Sequence, residues 1–197
     1  LKEPPIDQFQ PLIELYKKRQ YQEALNQALQ LIEHYPNSTN LHNIVGATNQ
    51  GLGNVTEAIE AYSKALSIKP DYADAYGNMG NALREIGKLD EAIKAYKKAV
   101  SLKPDYVEAY TNMGVACKQH GKLDEAIEAF KKALTIKPDY GRAQHMLSAL
   151  TGKTDKTAPR EYVENLFDGY SAKFEAALVN KLEYKIPKLI SNILINP

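Results

Sequence analysis

The chain has 197 residues, with 25 Lys+Arg against 24 Asp+Glu. This near-neutrality excludes a global basic field for nucleic acid and an acidic tail. A single cysteine, Cys117, excludes an internal disulfide and fits a reducing compartment. No apolar run approaches the length of a membrane span. The opening LKEPP has no basic segment followed by an apolar stretch, so no secretory leader is read there. The expectation is a cytoplasmic protein with neither nucleic-acid nor membrane partners.

Residues 1–38 read as a degenerate first unit of an internal repeat. Tyr21, Glu23, Ala24, Leu25 and Pro36 stand 34 positions before Val55, Glu57, Ala58, Ile59 and Pro70. Pro11 and Leu12 replace the Val-Gly or Met-Gly pair of later units. Proline belongs in a first helical turn, which places the start of the first helix near Gln10. Terminal repeats are expected to be atypical, because one face has no neighbour.

Three full units follow, at residues 39–72, 73–106 and 107–140. Each contains two amphipathic helices. In the middle unit Tyr76, Met79, Ala82, Leu83 and Ile86 recur at helical spacing, and Gly87 ends the helix. Asp90 opens a second helix whose apolar stripe is Ala92, Ile93, Tyr96, Ala99, Val100 and Leu102. Pro104 stops it. Asp105 with Glu108, and Asp71 with Asp74, have capping spacing for the helices that follow. Residues 141–150 begin a further unit as a partial repeat helix. Residues 151–157 read as a polar linker.

Tyr76, Met79, Gly80, Leu83, Ala92, Tyr96, Ala99 and Pro104 return as Tyr110, Met113, Gly114, Cys117, Ala126, Phe130, Ala133 and Pro138. A weaker copy is His42, Val45, Gly46, Asn49, Ala58, Tyr62, Ala65 and Pro70. This pattern resembles the tetratricopeptide repeat. The resemblance implies an all-α fold, a right-handed superhelical solenoid of antiparallel helix pairs, with partner binding on its concave face. Gly80 and Ala92 would let the paired helices approach, and Tyr76 and Tyr96 would fill the space between helices and units.

Residues 158–197 differ in character. Tyr162, Val163, Leu166, Phe167, Tyr170 and Phe174 form an aromatic stripe at helical spacing, expected to cap the solenoid as a C-terminal helical segment. With Leu182, the stripe resembles the segment before the S-adenosylmethionine-binding domain of bacterial repeat-methyltransferases. The glycine-rich cofactor loop of that family is missing, so methylation would belong to a longer parent.

Chemistry is sparse. Gly51-Leu52-Gly53 sits at a helix-helix turn and not after a strand, so it is no phosphate loop. His34, His42, His120 and His145 lack metal-ligand spacing. Cys117 takes the place of Leu83 and reads as a small buried hydrophobe. The acid pairs Asp90-Glu91 and Asp124-Glu125 fall in first helical turns, where the helix dipole explains them. The expectation is no enzyme, no cofactor and no metal.

What remains is a surface. Asn78 and Asn112 occupy equivalent positions and would stack as a ladder, with Asn43 adjacent to the position that Ile44 fills. An asparagine offers both donor and acceptor to a peptide backbone. The repeats resemble those of protein O-linked N-acetylglucosamine transferases, where such a ladder holds peptide. Asn81, Arg84, Lys118 and Gln119 complete the candidate groove, and Arg84 with Lys118 gives a modest positive stripe. The leading expectation is an interaction module for an extended peptide or partner domain. The alternatives are the docking arm of a larger enzyme, a methyltransferase before a glycosyltransferase, and self-association through solenoid ends.

Overall fold

The computed structural model describes residues 3–152. Nine α-helices and no strand occur among them: α1 Ile6–Lys17, α2 Tyr21–His34, α3 Thr39–Leu52, α4 Val55–Ile68, α5 Ala73–Glu85, α6 Leu89–Leu102, α7 Val107–Gln119, α8 Leu123–Ile136 and α9 Gly141–Thr151. Consecutive helices pack as antiparallel pairs, and each pair packs on the next. Contacts also join α3 to α5, α5 to α7 and α7 to α9, with no comparable series among the second helices. The first helices therefore line the inside of the curve, as expected when helix pairs stack with a small rotation. The fold is an all-α helical-repeat solenoid.

Close approach within each pair depends on glycine. A Cβ on Gly46, Gly80 or Gly114 would lie 2.4, 2.6 or 2.7 Å from the ring of Tyr62, Tyr96 or Phe130 respectively. Those three rings are essentially inaccessible, and the alanines beside them (Ala58, Ala92, Ala126) are fully buried. Each large ring thus fills the hollow that a small residue leaves opposite, which is how a two-helix unit reaches interior packing density.

The turn inside each unit has one recurring geometry. The N–H of Lys88 donates to the Leu83 carbonyl, and that of Gly87 to Arg84. Lys122 and Gly121, Asn54 and Gly53 repeat the pattern. The glycines have φ between 78° and 84°, the left-handed conformation that closes this type of helix end.

Two local expectations require correction. The first helix begins at Ile6, not near Gln10, so Pro11 lies inside it. Pro5 takes the boundary position instead, where a missing N–H is harmless. Asp105 and Asp71 do not cap: the boundary residues are Tyr106 and Tyr72, without side-chain cap bonds. There the lysine before the turn proline lies over the tyrosine ring, Lys103 at 4.7 Å from the Tyr106 centroid and Lys69 at 5.4 Å from that of Tyr72. A cap bond does occur at Ser38, whose hydroxyl oxygen accepts from the Leu41 N–H at 3.1 Å. Glu3 reaches the same helix start. Its carboxylate accepts from the Ser38 hydroxyl, and from the N–H and hydroxyl of Thr39 at 2.9 Å each. An anion at a helix N-terminus is favourable, and here it ties the chain start to α3.

Helix α9 extends to Thr151, one residue into the expected linker, and ends at Gly152 with φ 69°. The rest of the linker and the C-terminal helical segment, residues 158–197, lie outside the described residues, as does the methyltransferase-like aromatic stripe.

Candidate functional site

The inner face is built from the first helices. Helix α3 presents Asn43, Ala47 and Gln50, α5 presents Asn78, Asn81 and Arg84, and α7 presents Asn112. Their spacing of three or four residues keeps them on one side of each helix.

The asparagines are joined to one another. The Asn78 amide N–H donates to Asn43 Oδ1 at 3.0 Å, and that of Asn112 donates to Asn81 Oδ1 at 2.9 Å. The Asn81 oxygen also accepts from the Tyr96 hydroxyl at 2.7 Å. Equivalent positions do not bond to each other: Asn112 reaches Asn81 rather than Asn78. Nor is the pattern repeated one unit earlier, because Ala47 stands where Asn81 stands later and offers no acceptor. Asn78 turns to Asn43 instead. Each donor asparagine keeps a second N–H and its own oxygen beyond these bonds.

Tyrosines anchor the network from the second helices and the turns. The Tyr62 hydroxyl donates to Gln50 Oε1 at 3.2 Å, and the Gln50 amide donates to Glu85 at 3.1 Å. The Tyr72 hydroxyl donates to Asn40 at 2.8 Å. Burial pushes the Tyr62 hydroxyl far above its ordinary range, with the Tyr16 and Glu85 charges adding to it. Tyr72 is pushed up to about 12, by burial first and then by Asp74 and Glu3. Burial also raises Tyr96, against the opposing pull of Arg84 and Arg142. These hydroxyls therefore stay protonated and remain donors at neutral pH.

Arg84 is half-buried, and its Nε is enclosed without a hydrogen-bond partner. Ion pairs among the described residues involve the second helices, the turns and Asp74 in the first turn of α5, and none includes Arg84, Lys118 or Arg142. Arg84 on α5 and Lys118 on α7 occupy equivalent repeat positions. Lys118 and Gln119 are exposed in the last turn of α7 and do not join the asparagine network.

A cavity of about 470 Å³ opens on this face, lined by Tyr16, Ala47, Gln50, Gly51, Tyr62, Asn78 and Asn81. The sequence pattern marks Asn78 and Asn81 but not the Ala47 opening between them. Its signal was the alanine itself, a small residue in a polar register. Glu3, Asn40 and Gln50 were also missed, since none repeats.

The remaining chemistry-bearing residues have structural surroundings. Cys117 is fully buried, and burial raises its thiol. It borders a second cavity of about 190 Å³ with Tyr110 and Met113. His42 lies 2.8 Å from the Pro36 carbonyl. His120 contacts Asp90 at 2.9 Å. Among the described residues no group of three or more His, Cys, Asp or Glu side chains could hold a metal. Nor is any helix among them long and apolar enough to cross a membrane.

Family models described as TPR repeat match residues 51–83 and 80–121, and models described as tetratricopeptide repeat match residues 107–140 and 12–38. A comparison with curated proteins finds no significant match. Among solved structures, a crystal structure of MamA is 25% identical with a TM-score of 0.65, the alignment covering 82% of this chain and 95% of that one. PilF of Pseudomonas aeruginosa is 23% identical with a TM-score of 0.70, over 75% of this chain and 67% of its own. The first TPR of Spaghetti (RPAP3), solved with an HSP90 peptide, is 24% identical with a TM-score of 0.57, over 58% and 90%. The last two speak for the fold. With repeat models matching residues 12–38 and 51–140, and with paired helices from α1 to α8, the chain belongs to the tetratricopeptide-repeat family.

Proposed function

We propose that the chain is a protein-interaction module that captures an extended peptide of a partner protein on its inner face. The observation that carries this reading is the linked asparagine series. Asn78 and Asn112 each commit one N–H to a neighbouring repeat and keep a donor and an acceptor for a ligand. Side chains already positioned by such bonds lose little freedom on binding, and that favours affinity. Backbone recognition through amides is tolerant of peptide sequence. The likeness to glycosyltransferase repeats rests on these same two asparagines. The solved RPAP3 repeat domain, which holds an HSP90 peptide, supports a peptide as the kind of partner.

Charge adds a direction. Arg84, Lys118 and Arg142 lack acidic partners among the described residues, so the α9 end of the groove favours an acidic stretch of the peptide.

Binding of a degenerate set of decapeptides to the full chain, followed by fluorescence anisotropy, tests the reading. Asn78→Ala with Asn112→Ala should weaken binding by about thirtyfold, the loss of two hydrogen bonds worth about 1 kcal/mol each. Helicity should be unchanged and Tm lower by only a few degrees, because the same amides bridge neighbouring repeats. Undiminished binding by the double variant would show that the asparagines do not hold peptide.

A further inference from the structure

Position for position, the inner face changes chemistry along the array. Asn40, Ala47 and Gln50 of α3 stand 34 residues before Asp74, Asn81 and Arg84 of α5. The residues 34 before them, on α1, are Ile6, Ile13 and Tyr16. Polar or small residues in the later units are thus answered by three large ones, mainly apolar, in the first. Ile6 and Ile13 are two helical turns apart, with Tyr16 three residues further on, so the three share one side of α1. All three are exposed, at 83%, 38% and 40% respectively. Tyr16 also lines the cavity that Asn78 and Asn81 line, so this side of α1 is continuous with the asparagine face.

Exposed isoleucines at this end of the array suit either a stacked second copy or a ligand in the groove. The positions used for stacking decide between them. In the middle unit, Ala82 is buried against Ala58 and Tyr62 of the preceding pair, and Met79 lies 4.0 Å from the Ser63 hydroxyl. The residues 68 before these two, on α1, are Glu14 and Pro11, both exposed. A copy stacked there would bury the Glu14 carboxylate, which is costly without a partner. The isoleucines lie instead on the groove side. Two isoleucines beside the Tyr16 ring make a shallow apolar surface, and an edge contact with Tyr21, 5.3 Å between centroids, holds that ring in place. An aliphatic side chain gains by covering such a surface, whereas a polar one gives up hydration. Resting on the peptide-capture reading above, we infer that this side of α1 is an apolar anchor site, where a large aliphatic side chain of the captured peptide covers Ile6, Ile13 and Tyr16. The asparagines hold the peptide backbone, and the anchor fixes which end of the peptide lies at α1.

The test replaces the isoleucines by a polar helix former, as Ile6→Gln with Ile13→Gln. Ile6→Gln alone is the second variant, since a side chain this exposed adds little to folding. The probes are acetylated and amidated decapeptides, degenerate over non-aliphatic residues at the eight inner positions and fixed at both ends as Leu or as Ala. Fixing both ends lets either chain direction reach α1. The full native chain should bind the Leu set about fivefold to tenfold more tightly than the Ala set, the range for half-burying the extra carbons of one leucine. The double variant should bind both sets as the native chain binds the Ala set, with Ile6→Gln between. Equal binding of the two sets by the native chain overturns the anchor but leaves peptide capture standing. A leucine preference that survives the double variant also overturns it. So does a light-scattering mass that rises with concentration in the native chain and stays at one chain in the double variant, which would assign the face to a second copy. No binding of either set overturns peptide capture and the anchor with it.

Discussion

Arg19 stands 34 residues before Gly53, in the position that glycine occupies in each later turn. Its φ is 59°, and it is the residue other than glycine with positive φ among those described. The surrounding bonds are the same as in the glycine turns: Gln20 N–H to the Leu15 carbonyl, and Arg19 N–H to Tyr16. The first unit thus keeps the turn geometry while having lost the residue that adopts it freely. Left-handed backbone costs a side-chain-bearing residue roughly 1–2 kcal/mol. Part of that is offset in glycine by its greater unfolded-state entropy. Arg19→Gly should therefore stabilise the chain by about 0.5–1 kcal/mol, seen as a higher urea midpoint with an unchanged slope. A lower midpoint would show that the arginine side chain contributes more than its backbone strain takes away.

Between helix pairs, the exposed edges are fastened by ion pairs that the sequence reading assigned to helix dipoles alone. Asp90, in the first turn of α6, receives His120 and Lys122 from the next turn, each at 2.9 Å. Lys97 reaches Glu125 at 2.9 Å in the same way. Hydrogen bonds from His120 and Lys122 hold the Asp90 carboxyl down to about 2, and the bond to Asp90 raises His120 above its ordinary value. The two shifts bound a pH window. The histidine contribution is complete below the ordinary histidine pKa of about 6.5 and disappears as pH rises through the raised value. The aspartate contribution is present above the ordinary carboxylate value of about 4 and disappears as pH falls towards the lowered one. The Tm advantage of the native chain over His120→Gln should accordingly be greatest near pH 5 to 6 and shrink by pH 8, measured at low salt because exposed pairs are screened. A constant difference across that range would mean that histidine charge plays no part.

On the scale of the whole array, burial is uneven. One apolar cluster runs continuously through α5 to α9, from Leu83 and Tyr96 to Phe130 and Ala143. Helix α1 contributes only Phe9 and Leu12 to the core among its residues, and Ile6 is 83% exposed. In a quasi-one-dimensional array each unit is stabilised by its neighbours, so the unit with one neighbour opens most easily. Native-state hydrogen exchange on the full chain should be slowest in α5 to α8 and faster in α1. Exchange at one common rate would indicate a single cooperative unit instead.

Local rules written into the sequence determined the fold: the 34-residue recurrence, the helical spacing around Tyr76 and Tyr96, and the glycine turns act over a few residues, so the chain text alone carries them. Their local exceptions were harder to place. Pro11 was legible as helix-limiting, yet Pro5 supplied the boundary, and the Asp105 and Asp71 capping spacing gave way to the lysine–tyrosine turns. The asparagines were legible as one face. Which of them meet was decided only by the tertiary packing. A periodic reading stacks positions 34 apart, whereas the bonds span 35 residues from Asn43 to Asn78 and 31 from Asn81 to Asn112. Neighbouring first helices are rotated and staggered against each other, so a side chain meets a residue offset from its own equivalent. The same offset makes Asn81 the shared acceptor and leaves Asn78 to seek Asn43.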